Sequence, residues 1–305
     1  VISQQMRMLG LALMFLAKKY FIMRPHDRVP TVQELSKEAG ISLGTMQTAR
    51  DILKKEGAVL TVSKGHLGTY IEKINHKKLL LYLKNSDIVG SLPLPYTKKY
   101  EGLATAIYQS FLNSDMPVNL FYMNGSKHRL SGLKEGRSDF IITSGLTANY
   151  LVKHNPNLEI YLKLPKGTYV STHVLIFKKG KKPEIKDGAK IGVDENSIDY
   201  VLLTKSILEQ HKIHLVPMPY NQIVKNIING VIDYAIWNKD EIIEQNYPVS
   251  YQELSDVATV EASEAAIVGK QNNVFVKTIL RKTLSTKHLV LTQNKVISGE
   301  VLPVY

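Results

Sequence analysis

An α/β chain of two domains is predicted: a winged helix-turn-helix domain over residues 1–75 and a two-lobed α/β domain over residues 76–305. Three observations predict it. Pro30 to Ile71 reads in order as helix, turn, helix and two-strand wing. From Leu79 onward, strands alternate with helices. Within that larger region a single device occurs twice: a helix, a Gly, then an Asp leading into an apolar strand, at Ser126 to Ser144 and again at Gln222 to Asn238. Such internal duplication implies two lobes with a cleft between them.

The first element is the apolar run Met8 to Ala17, ended by Lys18 and Lys19. Ten residues cannot span a bilayer, and a secretory leader would not precede a DNA reader, so a buried first helix is expected. Its apolar residues nearly encircle it, which points to partial burial against a second subunit. Because the chain begins with Val1 rather than Met, some native residues are expected to precede it.

Thr31 and Glu34 have the spacing of a reciprocal cap, in which hydroxyl and carboxylate satisfy each other's backbone amides, so a helix starts at Val32. Val32, Leu35 and Ala39 share one face, and Gly40 supplies a left-handed stop. Ser42 caps a second helix running to about Glu56, with Met46, Ala49 and Leu53 inward and Gly57 as its stop. Its opposite face carries Gly44, Gln47, Thr48, Asp51 and Lys55, small and hydrogen-bonding groups suited to base edges and phosphates. Gln47 is the best single base reader. Ala58 to Val62 and Thr69 to Ile71 read as the strands of the wing, with Lys64 and His66 at its tip. Thr31, Ser42 and Thr45, at the helix starts, complete the expected DNA-contacting set.

Charge supports this reading over a helix-turn-helix that never meets DNA. Residues 1–78 hold 13 Lys and Arg against 6 Asp and Glu, a net of +7, and the other 227 residues carry the remaining +5 of +12. The density is about fourfold higher on the small domain, as phosphate binding requires. The chain has no cysteine, which excludes disulfides, thiolate metal sites and Cys nucleophiles and gives no sign of an oxidising compartment. A length of 305 residues with 44% hydrophobic content allows both domains real cores.

Asp27 to Thr31, Glu34-Leu35, Gly40-Ile41-Ser42, Gly44-Thr45-Met46, Ala49, Leu53, Glu56-Gly57 and Gly68 to Ile71 run in the same order as in GntR-type bacterial regulators, whose winged domain this stretch resembles. The resemblance implies operator binding. It departs where that family has Arg and this chain has Leu43 and Gln47, so family operator preferences do not carry over.

Lys73 to Lys78 reads as a polar linker. Beyond it, a strand at Asp87 to Gly90, a helix near Tyr100 to Asn113 and a strand at Val118 to Met123 are expected. Val174 to Gly180 with Ile185 to Val193, and Ala265 to Lys270, resemble the passage into and back from the second lobe of type 2 periplasmic-binding-protein folds, also used as effector domains in LysR-type regulators. Joined to a GntR-like reader, this arrangement most resembles the YhfZ group of bacterial regulators. The resemblance implies a ligand between the lobes, at loops after strand ends and at helix N-termini. It carries Ser91, Tyr96, Asn124, Ser126, Ser144, Thr147, Asn196, Ser197 and Asn238 as candidate ligand contacts. Each has a plainer alternative as a cap or turn residue.

No metal, cofactor or catalytic signature is present. The nine histidines form no ligand array, since His211 and His214 have no carboxylate partner in sequence. Neither a P-loop nor a G-x-S-x-G sequence occurs, and Val89-Gly90 opens no dinucleotide fingerprint. Asp139, Asp194 and Asp233 are conceivable acids, but the first and last precede buried strands, where turns are the default. The reading is therefore a cytoplasmic homodimeric regulator that binds an operator and answers to a small effector, and not an enzyme. An enzyme with a vestigial DNA domain, or an architectural DNA-binding protein with an empty cleft, stay open. Leu146 to Val152 offers no Arg to hold a carboxylate, so an ordinary amino acid is not expected. The helices opened by Ser126, with Lys127 and Arg129 near, and by Asn196-Ser197 offer free amides to an anion, so a small anionic metabolite is.

Overall fold

The computed structural model describes residues 2–83, 88–114, 118–208 and 211–305. The chain divides into two compact units, one comprising Val1–Ile88, Leu112–Pro117 and Val274–Ile279, the other Val89–Phe111, Val118–Asn273 and Leu280–Tyr305.

The first unit begins with α1 (Ile2–Ile22). Its Ala12, Leu16, Ala17, Tyr20 and Phe21 are buried, whereas Met6 and Leu11 are exposed. A short strand, β1 (Arg28–Val29), leads to α2 (Val32–Ala39), whose capping box between Thr31 and Glu34 is formed as expected, with Gly40 left-handed at its end. Next come α3 (Leu43–Lys55), β2 (Val59–Ser63), a 3-10 turn at Gly65–Leu67 and β3 (Thr69–Ile74). Met46, Ala49 and Leu53 are fully buried, so α3 turns its other side outward. The wing differs from a simple hairpin. β1 pairs antiparallel with β3, giving a three-stranded sheet in the order β1-β3-β2. Two residues are too few to show a period, which is why β1 leaves no trace in sequence. The expected linker is also folded: β3 runs to Ile74, and α4 (His76–Leu81) starts on an Asn75 cap and packs on α1. Lys78 accounts for some of its polarity, since its Nζ donates to the Glu56 carbonyl at the end of α3, 2.7 Å away.

The second unit holds two five-stranded sheets. The first lobe contains β4 (Ile88–Leu92), α5 (Lys98–Leu112), β5 (Val118–Tyr122), α6 (Ser126–Lys134), β6 (Phe140–Ser144), α7 (Gly145–His154) and β7 (Leu158–Lys163). Asp87, the expected start of β4, lies outside the described residues. The chain then builds lobe two from β8 (His173–Lys178), β9 (Lys190–Val193), α8 (Ile198–Leu208), β10 (His214–Pro217), α9 (Tyr220–Asn229), β11 (Tyr234–Asn238), α10 (Lys239–Glu244), β12 (Val249–Glu253) and α11 (Val257–Ala262). It returns through β13 (Ala265–Lys270) and ends with α12 (Val274–Thr283) and α13 (Thr286–Ser298).

The sheet orders are β5-β4-β6-β13-β7 and β10-β9-β11-β8-β12. In each, one strand runs antiparallel beside the third: β13 against β6, and β8 against β11. These are the two passages between lobes anticipated near Val174 and Ala265. The lobe-one core joins Leu133, Ile141, Ala148 and Val268 to Ile198 at the start of α8. Lobe two has a cluster on each sheet face, around Leu203 and Ile236 and around Ile227 and Trp237.

Candidate functional site

On the first unit, Ser42 caps α3 by accepting the Thr45 amide at 3.3 Å, and the two hydroxyls lie 2.8 Å apart. Ser42, Gly44, Thr48, Asp51 and Lys55 are exposed along the outer face, with Leu43 beside them. Thr48 donates to the Gly44 carbonyl at 2.9 Å, so its hydroxyl hydrogen is committed within the helix. Gln47 is half-buried and held on both sides. Its amide nitrogen lies 2.9 Å from each Asp51 carboxylate oxygen, and its carbonyl accepts from Arg50 at 2.9 Å. Thr31 is exposed, but its hydroxyl serves the α2 cap. Lys64 and His66 are exposed at the wing tip, with the Lys64 ammonium 4.7 Å from the Tyr70 ring centre. Leu43, one of the two positions that depart from the GntR-type pattern, is the exposed apolar residue that opens α3.

On the second unit, a cavity of about 50 Å³ lies where α6 of lobe one meets α8 of lobe two. That is room for a few waters. The two helix starts cap each other: the Lys127 amide donates to the Asn196 carbonyl at 3.0 Å, and the Ile198 amide to the Ser126 hydroxyl at 2.9 Å. Such closeness needs Gly125, where a Cβ would lie 2.8 Å from that of Asn196 and φ is +77°.

Of the nine expected contacts, Tyr96, Asn124, Ser126 and Ser197 line this cavity, and five do not. Ser144 and Thr147 are buried behind it, donating their hydroxyls to Asp199 at 2.5 and 2.7 Å. Asn196 packs over Gly125, while Ser91 and Asn238 are buried at strand ends. Strand-end position alone made these five look alike, and for Ser144 and Thr147 the opposite lobe sets where the side chain points.

Half of the lining comes from residues outside the expected contact set: Tyr100, Arg129, Tyr169, His173, Asp199, Tyr200 and Tyr220. Arg129 is 3% exposed. Its guanidinium donates to the Met123 carbonyl at 2.7 Å and the Tyr169 hydroxyl at 3.3 Å, and its Nε has no partner among the described residues. Burial lowers the His173 pKa to about 4, so the ring is neutral at pH 7. It also raises Asp199 above the ordinary carboxylate range, against its two hydroxyl bonds, and keeps Tyr100, Tyr200 and Tyr220 protonated. The cavity thus presents the Arg129 guanidinium, the Asp199 carboxyl that interacts with it, neutral hydroxyls and two helix N-termini.

The absence of Arg over residues 146–152 therefore does not exclude a carboxylate ligand. A buried guanidinium lines the cavity from α6.

The three aspartates considered as acids hold backbone. Asp139 and Asp233 accept the amides of Val89 and Lys190 at 2.9 and 3.0 Å, and Asp194 accepts that of Asn196 at 2.9 Å.

Residues 75–305 match the family described as the YhfZ C-terminal domain. The chain belongs to the YhfZ family. Residues 25–71 match a helix-turn-helix domain. A protein called YhfZ in Escherichia coli (strain K12) is 29% identical over 284 residues, covering 92% of this chain and 91% of that protein. The crystal structure of YhfZ from Shigella flexneri is 30% identical, with a TM-score of 0.64, over 75% of this chain and 97% of that one. The second unit also shares its fold with the periplasmic aliphatic sulphonate binding protein SsuA of Escherichia coli. That match is 12% identical, with a TM-score of 0.51, over 70% of this chain and 75% of that one. This YhfZ-family chain thus joins a helix-turn-helix domain to an α/β domain of periplasmic-binding-protein fold.

Proposed function

We propose that this protein is a cytoplasmic transcription regulator, not an enzyme, with a GntR-like winged reader that works as a homodimer and answers to a small anionic metabolite held between the lobes. Buried Arg129 carries the ligand reading, with an unpartnered Nε at a cavity where two helix N-termini converge. Asp199 shares the cavity with this guanidinium, but its raised pKa resists ionisation, so an anion at Arg129 is favoured, and the positive ends of the two helices favour the same sign. Phosphorylated sugars and organic acids fit, bound through hydroxyls and amides. The 50 Å³ cavity is smaller than such a ligand, so binding requires the lobes to separate.

The test is operator selection by the purified protein with and without a library of such metabolites. Ser197→Leu should abolish the ligand's effect on DNA while leaving the unliganded operator complex intact. A ligand response unchanged in that variant refutes the cavity as the effector site. On the reader, Asp51 and Arg50 keep the Gln47 amide oriented. Gln47→Ala should relax preference by about 1–3 kcal/mol at one base pair, and Lys55→Ala should weaken all sequences and lower the salt slope. For assembly, the exposed Met6 and Leu11 mark α1 as the contact to probe. Leu13→Glu should weaken the dimer in sedimentation, and a monomer that still protects a full palindrome would refute the dimer.

A further inference from the structure

Next to the anion cavity lies a second chamber of opposite chemistry, about 350 Å³, walled by Pro95, Tyr96, Tyr220, Trp237, Glu241 and Tyr247. We propose that it binds a small organic ammonium group, held against the tyrosine faces with Glu241 as counter-charge.

Glu241 is 4% exposed. One carboxylate oxygen accepts the Tyr220 hydroxyl and the other the Tyr247 hydroxyl, the latter at 3.1 Å. No Lys, Arg or His among the described residues forms an ion pair with it. A carboxylate out of water without a positive partner is costly, and burial accordingly pushes Glu241 above the ordinary carboxylate range. A cation entering the chamber supplies the missing charge.

The walls select the kind of cation. Tyr96 stacks on Tyr220 at 5.6 Å and 8°, and Tyr220 on Trp237 at 4.2 Å and 17°, so these rings cover one another in part, and Tyr247 and the exposed Tyr96 bring the remaining aromatic surface to the chamber. Aromatic faces carry negative potential and attract ammonium groups whose charge is spread over carbon. Two of these phenols donate to a carboxylate, which makes their rings richer in electrons. A hard metal ion is disfavoured, because it wants six or more oxygens and Glu241 has both of its own engaged. The volume is in the range that takes a small metabolite.

The chain has a single tryptophan, Trp237, in the wall of this chamber, so its fluorescence reports on occupancy there. The full-length protein is titrated with tetramethylammonium and with choline, and in parallel with neutral 3,3-dimethyl-1-butanol and with sodium chloride at equal ionic strength. Saturable changes in emission are expected with the two ammonium ions only. Glu241→Gln keeps one acceptor oxygen and the shape but removes the charge, and should weaken binding roughly tenfold or more. Tyr247→Ala, at a ring that lines this chamber and not the anion cavity, should also weaken it. The proposal is overturned if the alcohol binds as well as choline, or if both variants bind choline as the parent does. It also fails if neither ammonium ion gives a saturable response by about 10 mM. Ser197 and Arg129 do not line this chamber, so the effector test stands or fails separately.

Discussion

The two lobes solve the same backbone problem identically and then diverge at one residue. In lobe one, Asp139 clamps the start of β4, its carboxylate accepting the Val89 amide at 2.9 Å while its own amide donates to the Val89 carbonyl at 2.7 Å. In lobe two, Asp233 does the same to Lys190 at the start of β9, at 3.0 and 2.8 Å. Each clamp leads into a buried strand whose last residue caps the next helix: Ser144 accepts the Thr147 amide at 2.9 Å, and Asn238 the Asp240 amide at 2.9 Å. There the likeness ends. Ser144 spends its hydroxyl hydrogen on Asp199 of the other lobe, whereas the Asn238 Nδ2 is buried without a partner. A duplicated device fixes the backbone, and the side chain at its end decides whether that device adds a tie to the other lobe, beside those made by Thr147, Ser126 and Asn196.

Breaking the tie should have the largest effect. Asp199→Leu leaves the Ser144 and Thr147 hydroxyls without their acceptor, and should cost about 2–4 kcal/mol in urea denaturation. Asp199→Asn, which keeps one acceptor oxygen, should cost less than half of that. Equal costs would mean that charge, not the shared acceptor, joins the lobes.

The cavity's two basic groups sharpen the comparison through pH. Arg129 of lobe one stays charged, while His173 of lobe two titrates, with its pKa lowered from 6.5 to about 4 by burial. The folded state resists the proton that the unfolded state accepts. Stability from His173 is therefore complete above pH ~6.5 and drains as pH falls towards 4, by at most about 3 kcal/mol. Asp199 has the opposite sign: its raised pKa makes stability fall as pH rises through the carboxylate range. His173→Gln should flatten the denaturation midpoint between pH 6.5 and 4. A variant as acid-sensitive as the parent would place that dependence elsewhere.

The smallest effects distinguish the clamps. Asp139 bonds in a half-buried setting and Asp233 in an exposed one, paired at 3.4 Å with Lys181. Asp139→Ala should cost about 1–2 kcal/mol and Asp233→Ala about 0.5–1 kcal/mol, read as shifts in urea midpoint. The reverse order would show that lobe two depends more on its clamp.

Local chemistry was legible wherever neighbours in sequence satisfy one another. The Thr31–Glu34 box, the Ser42 cap, the buried face of α3 and both Gly-Asp-strand repeats needed only residues a few positions apart, because caps and helical faces are made by short-range hydrogen bonds and by the helix period. The wing's third strand and α4 escaped notice, since two residues show no period and a basic run such as Lys77-Lys78 reads equally as linker or as exposed helix face.

The cavity belongs to the other class. By itself the sequence determined that two domains exist, that the first has the shape and charge of a DNA reader, and that the second is a duplicated α/β unit. Only the tertiary structure decided that Arg129, His173 and Asp199 share one cavity, that Ser144 and Thr147 face Asp199 rather than a ligand, and that Glu241 lies under aromatic rings. The reason is physical. Where a side chain points at a strand end is set by what the opposite lobe offers it, and Ser144 and Asp199 are partners 55 residues apart, far beyond any periodicity that sequence can display.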